Sequence, residues 1–403
     1  MDRLEIERRP YLMENAIQHY AWGGKGDNAF IPIFMAFKPE PGVAYAELWM
    51  GAHGNGPSSV MIHQRAVPLD RLIQDDPINT LGNRAAGKFE RSLPFLMKIL
   101  SAEEPLSIQA HPDKEAARML HQKDPAHYPD ENPKPEVAVA LDYLDALIGF
   151  KSGGEMAETL AAFPELKEMI PEERPSAPSF YSGILKNAFG HPERVTQVNE
   201  AIKNRLDGKT GALTDEERLF LYLAEKYSAS EAGVLMMLLL RRVRLKKGEG
   251  IAIGPGVPHA YLKGNIIECM TNSDNVVRAG LTPKFKDREA LFQILDYQTD
   301  PIPVISGDRP GQDLSYQSPF DAFSLSKLVI RKKSKKRLDS GDAPQILLVT
   351  EGEIGLIWTN ACGDEQEIKA LKGRSLFLPA SLGSVTIVSG TGAELFRVTL
   401  PDP

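Results

Sequence analysis

Apolar residues follow two rhythms along this chain. Up to about residue 150 they gather in short runs broken by Gly and Pro: "IPIFMAF", "SSVMIHQ", "LPFLMKIL" and "EVAVAL". Runs of that length between turn residues predict β-strands, and several in succession predict a sandwich or barrel. Near Lys151 the rhythm changes, and to about Lys247 the apolar positions recur at helical spacing. "TDEERLFLYLAEKY" opens on Thr214 with Glu217 three residues on, the spacing of a capping box. Leu219, Leu221, Tyr222 and residues 234–240 are the core positions this predicts. Strand texture returns over 248–270, one further helix is predicted over 284–297, and short strands resume from about Pro301. The chain therefore divides into 1–150 and 248–300 as two parts of one β-domain, 151–247 as a helical insertion, and 301–403 as a second β-domain.

"KKGEGIAIGPG" and "EGEIGLI" followed by "GRSLFLPA" share a layout of Gly turn, apolar strand and Pro turn. They read as a weak internal repeat of one β-unit. His259 follows the first copy, whereas Ala380, Ser381 and Leu382 follow the second. One β-domain is thus expected to be functional at this turn and the other structural.

The 403 residues suit two or three domains, and 42% apolar content is enough for ordinary cores. A net charge of −7 argues against a binder of nucleic-acid backbone, while leaving room for a local site for one phosphate. The two cysteines, Cys269 and Cys362, offer no disulfide framework and are read as buried thiols in a reducing compartment. The N-terminal segment has no apolar signal core. The longest apolar run, 232–240, is too short to span a bilayer and ends in Arg241 and Arg242. A soluble cytoplasmic protein is expected, with no membrane or nucleic-acid partner.

Candidate chemistry starts at "LSIQAHPDK", residues 106–114. Gln109 and His111 are two apart, so on a strand they share a face. Pro112 suits the first position of a helix, and Asp113 suits its positive end or its cap. Glu136 stands where the strand "EVAVAL" begins, and His259 at the Gly/Pro turn "PGVPHAYL". Two imidazoles, a carboxylate and an amide oxygen would suit a divalent metal such as zinc. Spacing alone leaves the metal reading and ordinary structural histidines both open. Lys134 is stiffened between Pro133 and Pro135. In "NSDNVVRAGLTPKFKD", Asp274 and Arg278 are four apart. They read either as a surface pair worth ~0–1 kcal/mol or as a site in which Arg278 meets a phosphate or oxyanion.

Taken together, "LSIQAHPDK", "KPE", "GVPHAYL" and "SDNVVRAGLTPKFKD" resemble the type I phosphomannose isomerases (mannose 6-phosphate isomerases). "YAWGGKG" and "YAELWMGAHGNGPS" resemble that family's N-terminal motifs, and the matches run in order from about residue 20 to 290. The resemblance implies a mainly β protein of two cupin-like (jelly-roll) barrels with a helical domain, the C-terminal barrel lacking metal ligands. It implies one zinc per chain, held by Gln109, His111, Glu136 and His259. The substrate implied is mannose 6-phosphate, interconverted with fructose 6-phosphate through a cis-enediol, a step that serves both mannose catabolism and GDP-mannose synthesis. Arg278 becomes a catalytic cation, and Lys134, Asp274 and Glu268 become candidates for proton handling. Glu47, Trp49, His53, Lys98 and Ser107 match positions near the substrate, with Ser107 and Lys98 expected at the phosphate. Because every candidate lies in one chain, a monomer is expected.

Two positions depart from the family pattern: Pro133 stands where many members have His, and Gly54 follows His53 in place of Pro. Pro133 supports a competing reading, a catalytically silent cupin that binds a sugar phosphate. A third reading is an iron oxygenase with a 2-His-1-carboxylate site.

Overall fold

A computed structural model describes residues 4–171, 177–307 and 311–402. Parts of the N-terminal segment, the helical block and the C-terminal block (1–3, 172–176 and 308–310) therefore lie outside the described residues, as does residue 403. Two large antiparallel sheets carry the fold, of ten and eleven strands among the described residues. In the first, Glu136–Phe150 lies between Gly250–Ile253 and His259–Thr271, and the order continues through Phe95–Ala102 to Glu47–Gly51. Phe95–Ala102 is buried at every position, and its run is apolar except at Lys98 and Ser101.

The second sheet centres on Gln345–Thr359. It also takes three strands from the N-terminal block: Tyr11–Glu14 pairs with Ser375–Leu378 and with Ser59–Ile62, which pairs with Arg65–Pro68. Sheet membership thus crosses the textural blocks.

The repeat recurs in three dimensions. Gly248 and Gly373 both take a left-handed φ of 83° ahead of a four-residue strand. Each of those strands pairs with the first four residues of a fifteen-residue strand, Glu136 against Ile253 and Gln345 against Leu378. Gln345 thus occupies in the second sheet the position Glu136 holds in the first. Its amide donates to Asp339 O (2.8 Å) and accepts from Arg397 Nε (2.9 Å). The frame is kept, and the carboxylate is replaced by a satisfied amide.

Several local expectations change. "IPIFMAF", residues 31–37, overlaps the helix Phe30–Phe34 and holds no strand. Pro32 is tolerated in its first turn, and Ile31 and Phe34, three apart, form the buried face. Helices Leu69–Asp75 and Pro77–Lys88 interrupt the β-texture as well. The helix after the Gln109 motif spans Lys114–Lys123. Asp113 caps it, accepting from Ala116 N at 2.8 Å, so Pro112 precedes the helix rather than starting it. Residues 240–246 of the helical block form the strand Leu240–Lys246, where Arg242 makes a two-pronged pair with Asp145 (2.8 and 2.5 Å). The late helix is shorter than predicted, Arg288–Ile294, because Asp287 caps it. Cys269 is buried, but Cys362 is exposed on the turn after Gln345–Thr359, where a hairpin tip cannot be covered.

The Thr214–Glu217 capping box forms in both directions, at 3.2 and 2.8 Å. Ala232–Leu239 is a helix buried at all eight positions, a core element. Among the described residues no helix is long and apolar enough to cross a membrane. This buried helix touches the strand Val277–Gly280 backbone to backbone. A Cβ on Gly280 would lie 2.5 Å from Gly233 Cα, so neither chain can retreat cheaply. Gly280→Ala is therefore expected to cost about 1–3 kcal/mol by overpacking. Activity should fall with it, since Arg278 rides on that strand. Thermal unfolding checks this, and an unchanged midpoint would contradict the close approach.

Candidate metal and active site

Three elements converge at one end of the first sheet. Gln109 is the middle residue of Ile108–Ala110, paired with His259 on one side and Arg278 on the other. His111 follows that strand, while Glu136 and His259 are each the first residue of theirs. Strand ends next to Pro/Gly turns let these side chains point at a common centre. The ligand atoms of His111, Glu136 and His259 lie within 4.8 Å of one another, and all three residues are buried.

The hydrogen bonds fix what those atoms offer. His111 Nδ1–H donates to Asn275 O (2.8 Å) and His259 Nδ1–H to Val257 O (2.9 Å). Each Nε2 is thus left as a lone pair facing Glu136, at 3.2 Å from Oε1 for His111 and 3.4 Å from Oε2 for His259. Burial and the neighbouring Lys134 ammonium push His111 down to about 4, so its ring is neutral at pH 7. Burial alone would raise Glu136, but Lys134 (2.9 Å) and His111 hold it well below the usual carboxylate range. His111 Nε2 is buried without a hydrogen-bond partner, facing Glu136 Oε1, whose one close cation among the described residues is the Lys134 ammonium; such a buried lone pair is costly unless a cation takes it. The Gln109 amide lies 3.4 Å from His259 Nε2, where a flip presents its oxygen. This donor set, neutral imidazoles with one carboxylate and one amide, fits a zinc-like dication.

A cavity of about 580 Å³ opens over this cluster, lined by Gln109, Lys134, Glu136, Glu268, Asp274 and Arg278 among others. In its wall Trp49, Lys98 and Glu268 form one cross-strand row. Lys98 Nζ sits 3.4 Å from Glu47 and 3.5 Å from Glu268, 5.0 Å over the Trp49 ring. Trp49 Nε1 in turn donates to Glu47 at 2.5 Å. Burial would lower Lys98, but its two carboxylates outweigh that and raise it. Burial and the Glu136 charge push Glu268 up to about 7. Asp274 accepts from Asn55 Nδ2 (2.9 Å) and lies 3.2 Å from His53 Nε2, whose hydrogen bond lowers its pKa. Arg278 is half-buried, has no hydrogen bond or ion pair among the described residues, and is lowered by burial.

Comparison with known proteins agrees with this chemistry. Residues 11–153 match the family model of the catalytic domain of type I phosphomannose isomerase. A mannose-6-phosphate isomerase of Schizosaccharomyces pombe is 34% identical over 85% of this chain and 89% of its own length. That of Rattus norvegicus is 33% identical over 98% and 96%. The chain belongs to the type I phosphomannose isomerase family. A variant of phosphomannose isomerase from Salmonella typhimurium superposes with a TM-score of 0.83 at 28% identity, over 98% of this chain and 100% of its own. A mannose 6-phosphate isomerase bound with zinc and yttrium matches equally well, at 0.83 and 28% over the same shares. The two-sheet architecture is the cupin fold of these isomerases, and the chain is an enzyme of their class.

The sequence motifs of this isomerase fold onto one place. Gln109, His111, Glu136 and His259 meet, and Lys134, Glu268, Asp274 and Arg278 line the same cavity. Glu47, Trp49, Lys98 and Ser107 line it too, while His53 stands behind Asp274. Lys98 is bound between two carboxylates, which leaves it a poor phosphate partner. The Asp274–Arg278 surface pair does not form, because Asp274 turns to His53 and Asn55. Pro133 lines a different, larger cavity of about 800 Å³ behind the Lys134 loop. The candidate ligands His111, Glu136 and His259 converge with a proline at that position.

Sequence reasoning missed Tyr261, whose hydroxyl donates to Glu136 Oε2 at 3.4 Å, and Lys284, which lines the cavity 5.7 Å from the Tyr20 ring. Tyr261 shares a strand face with His259, two residues away, and that alternation was the available signal.

Proposed function

We propose that the cluster holds one zinc ion through Gln109, His111, Glu136 and His259, and that the cavity above it interconverts mannose 6-phosphate and fructose 6-phosphate through a cis-enediol. The observation that carries this reading is the pair of tethered imidazoles, each turning its unprotonated Nε2 toward Glu136, which lines a cavity that also holds Glu268 and Arg278. When bound, the metal supplies a Lewis acid that polarises the sugar carbonyl.

The chain's own residues do the rest. Glu268 is the proposed base: it is buried, and its pKa of about 7 matches a group that must both take and return a proton near neutrality. Lys98 keeps its carboxylate from being repelled by Glu47. Arg278 supplies a fixed cation for the enediolate oxygen. Asp274 remains ionised and suits a sugar hydroxyl. Ser107 and Lys284 are the proposed phosphate contacts, and binding of the phosphate holds C1 and C2 in place. All these groups come from one chain, so a monomer suffices.

Turnover in D2O tests the proton transfer. Product carrying solvent deuterium at the carbon that receives the proton is expected. Activity should rise with pH along a limb at or below about 7, because Glu268 must lose its proton. Glu268→Gln should lose both the exchange and the limb. Complete retention of the original hydrogen in every product molecule would contradict the reading.

A further inference from the structure

Asp130 lies outside the motifs and holds nothing in the cavity, yet two of the loops that build the site are tied to it. Its Oδ1 accepts from Asn132 N (2.8 Å) and Ser273 Oγ (2.9 Å), and its Oδ2 from Asp274 N (3.0 Å). The Asn275 amide donates to Asp130 O (2.6 Å), Asp130 Oδ1 (3.2 Å) and Asn132 O (2.9 Å). Ser273 and Asn275 are buried. The carbonyl of that same Asn275 accepts from His111 Nδ1. The segment leading into Lys134 and Glu136 is thus knotted to the segment bearing Asp274, and the knot ends on an imidazole of the metal cluster.

From this geometry we infer that Asp130 is a positioning residue: through Asn275 it sets the orientation and tautomer of His111, and with them the affinity and geometry of the metal site. The inference rests on the metal reading above. Physically, a ligand histidine is held by what its other nitrogen donates to, and loss of such a partner typically costs about 10–100-fold in metal affinity. Asn275 O can play that part only while its side chain is anchored, and Asp130 provides the charged anchor. Asp130→Asn keeps the shape but turns an amide NH2 toward Asn275 or Ser273, where an acceptor is needed.

Zinc affinity, measured by competition with a chromophoric chelator, tests this in wild type, Asp130→Asn, and Glu155→Gln. The last breaks the two-pronged Arg241 pair in the helical insertion (2.8 and 2.6 Å), away from the site. Thermal midpoints of the metal-free proteins and visible spectra of the cobalt(II)-loaded proteins accompany it. Asp130→Asn is expected to lose about 10–100-fold in zinc affinity and to show an altered cobalt spectrum. Glu155→Gln should lower the midpoint with zinc affinity unchanged. If Asp130→Asn lowers the midpoint alone, with wild-type affinity and spectrum, Asp130 is merely structural and the inference is overturned. A wild type that binds no zinc overturns it together with the metal reading.

Discussion

His259→Ala is expected to purify as a folded protein that has lost the metal and at least ~10³-fold in kcat. The imidazole is wholly buried, and its Nε2 is one of three converging donors. Removing it leaves Glu136 to Lys134 and His111, an arrangement that cannot complete a four-coordinate site. Lewis-acid stabilisation is worth several kcal/mol of barrier, and each 1.36 kcal/mol is tenfold in rate. The strand persists, because the pairing of His259 with Ile148 and Gln109 is main-chain. Metal content by mass spectrometry, together with the thermal midpoint of the metal-free protein, separates loss of the ligand from loss of the fold. Full metal and full rate in this variant would remove His259 from the cluster.

Arg278→Ala is expected to keep its metal and lose about 10²–10³-fold in kcat, the usual cost of deleting one preorganised donor at a developing oxyanion. The guanidinium sits beside Gln109, half-buried and with no ion pair among the described residues. A cation held this way is poised for an anion that forms during turnover. Arg278→Lys should recover only part of the rate, since an ammonium lacks the planar fork. KM should change less than kcat if the contact strengthens mainly at the transition state. An unchanged kcat would take Arg278 out of the chemistry.

Much of this site was legible because its residues interrupt otherwise regular patterns. Gln109 and His111 alternate along one extended segment, Glu136 and His259 open strands after Pro-containing turns, and Lys98 puts a charge into a buried, mostly apolar strand. Such exceptions are costly unless something uses them. The Gly-turn repeat likewise carried real information, down to Gln345 standing in register with Glu136. What stayed hidden depends on contacts distant in sequence. Nothing local to Tyr11–Glu14 says that it pairs with Ser375–Leu378, and nothing local to Asp130 says that it holds residues 273–275. Lys98 looked like a free cation for phosphate because Glu47 and Glu268 are far from it along the chain and adjacent only across strands. "IPIFMAF" misled because a short apolar run lacks the length to separate helix from strand.

The central claim is that the cluster of Gln109, His111, Glu136 and His259 is a working zinc centre for sugar-phosphate isomerisation. A coupled assay of the purified protein with mannose 6-phosphate, before chelation, after it, and after zinc is added back, tests it most directly. The account predicts turnover that chelation abolishes and zinc restores. Turnover that survives complete removal of the metal would contradict it, as would tight zinc binding without any turnover.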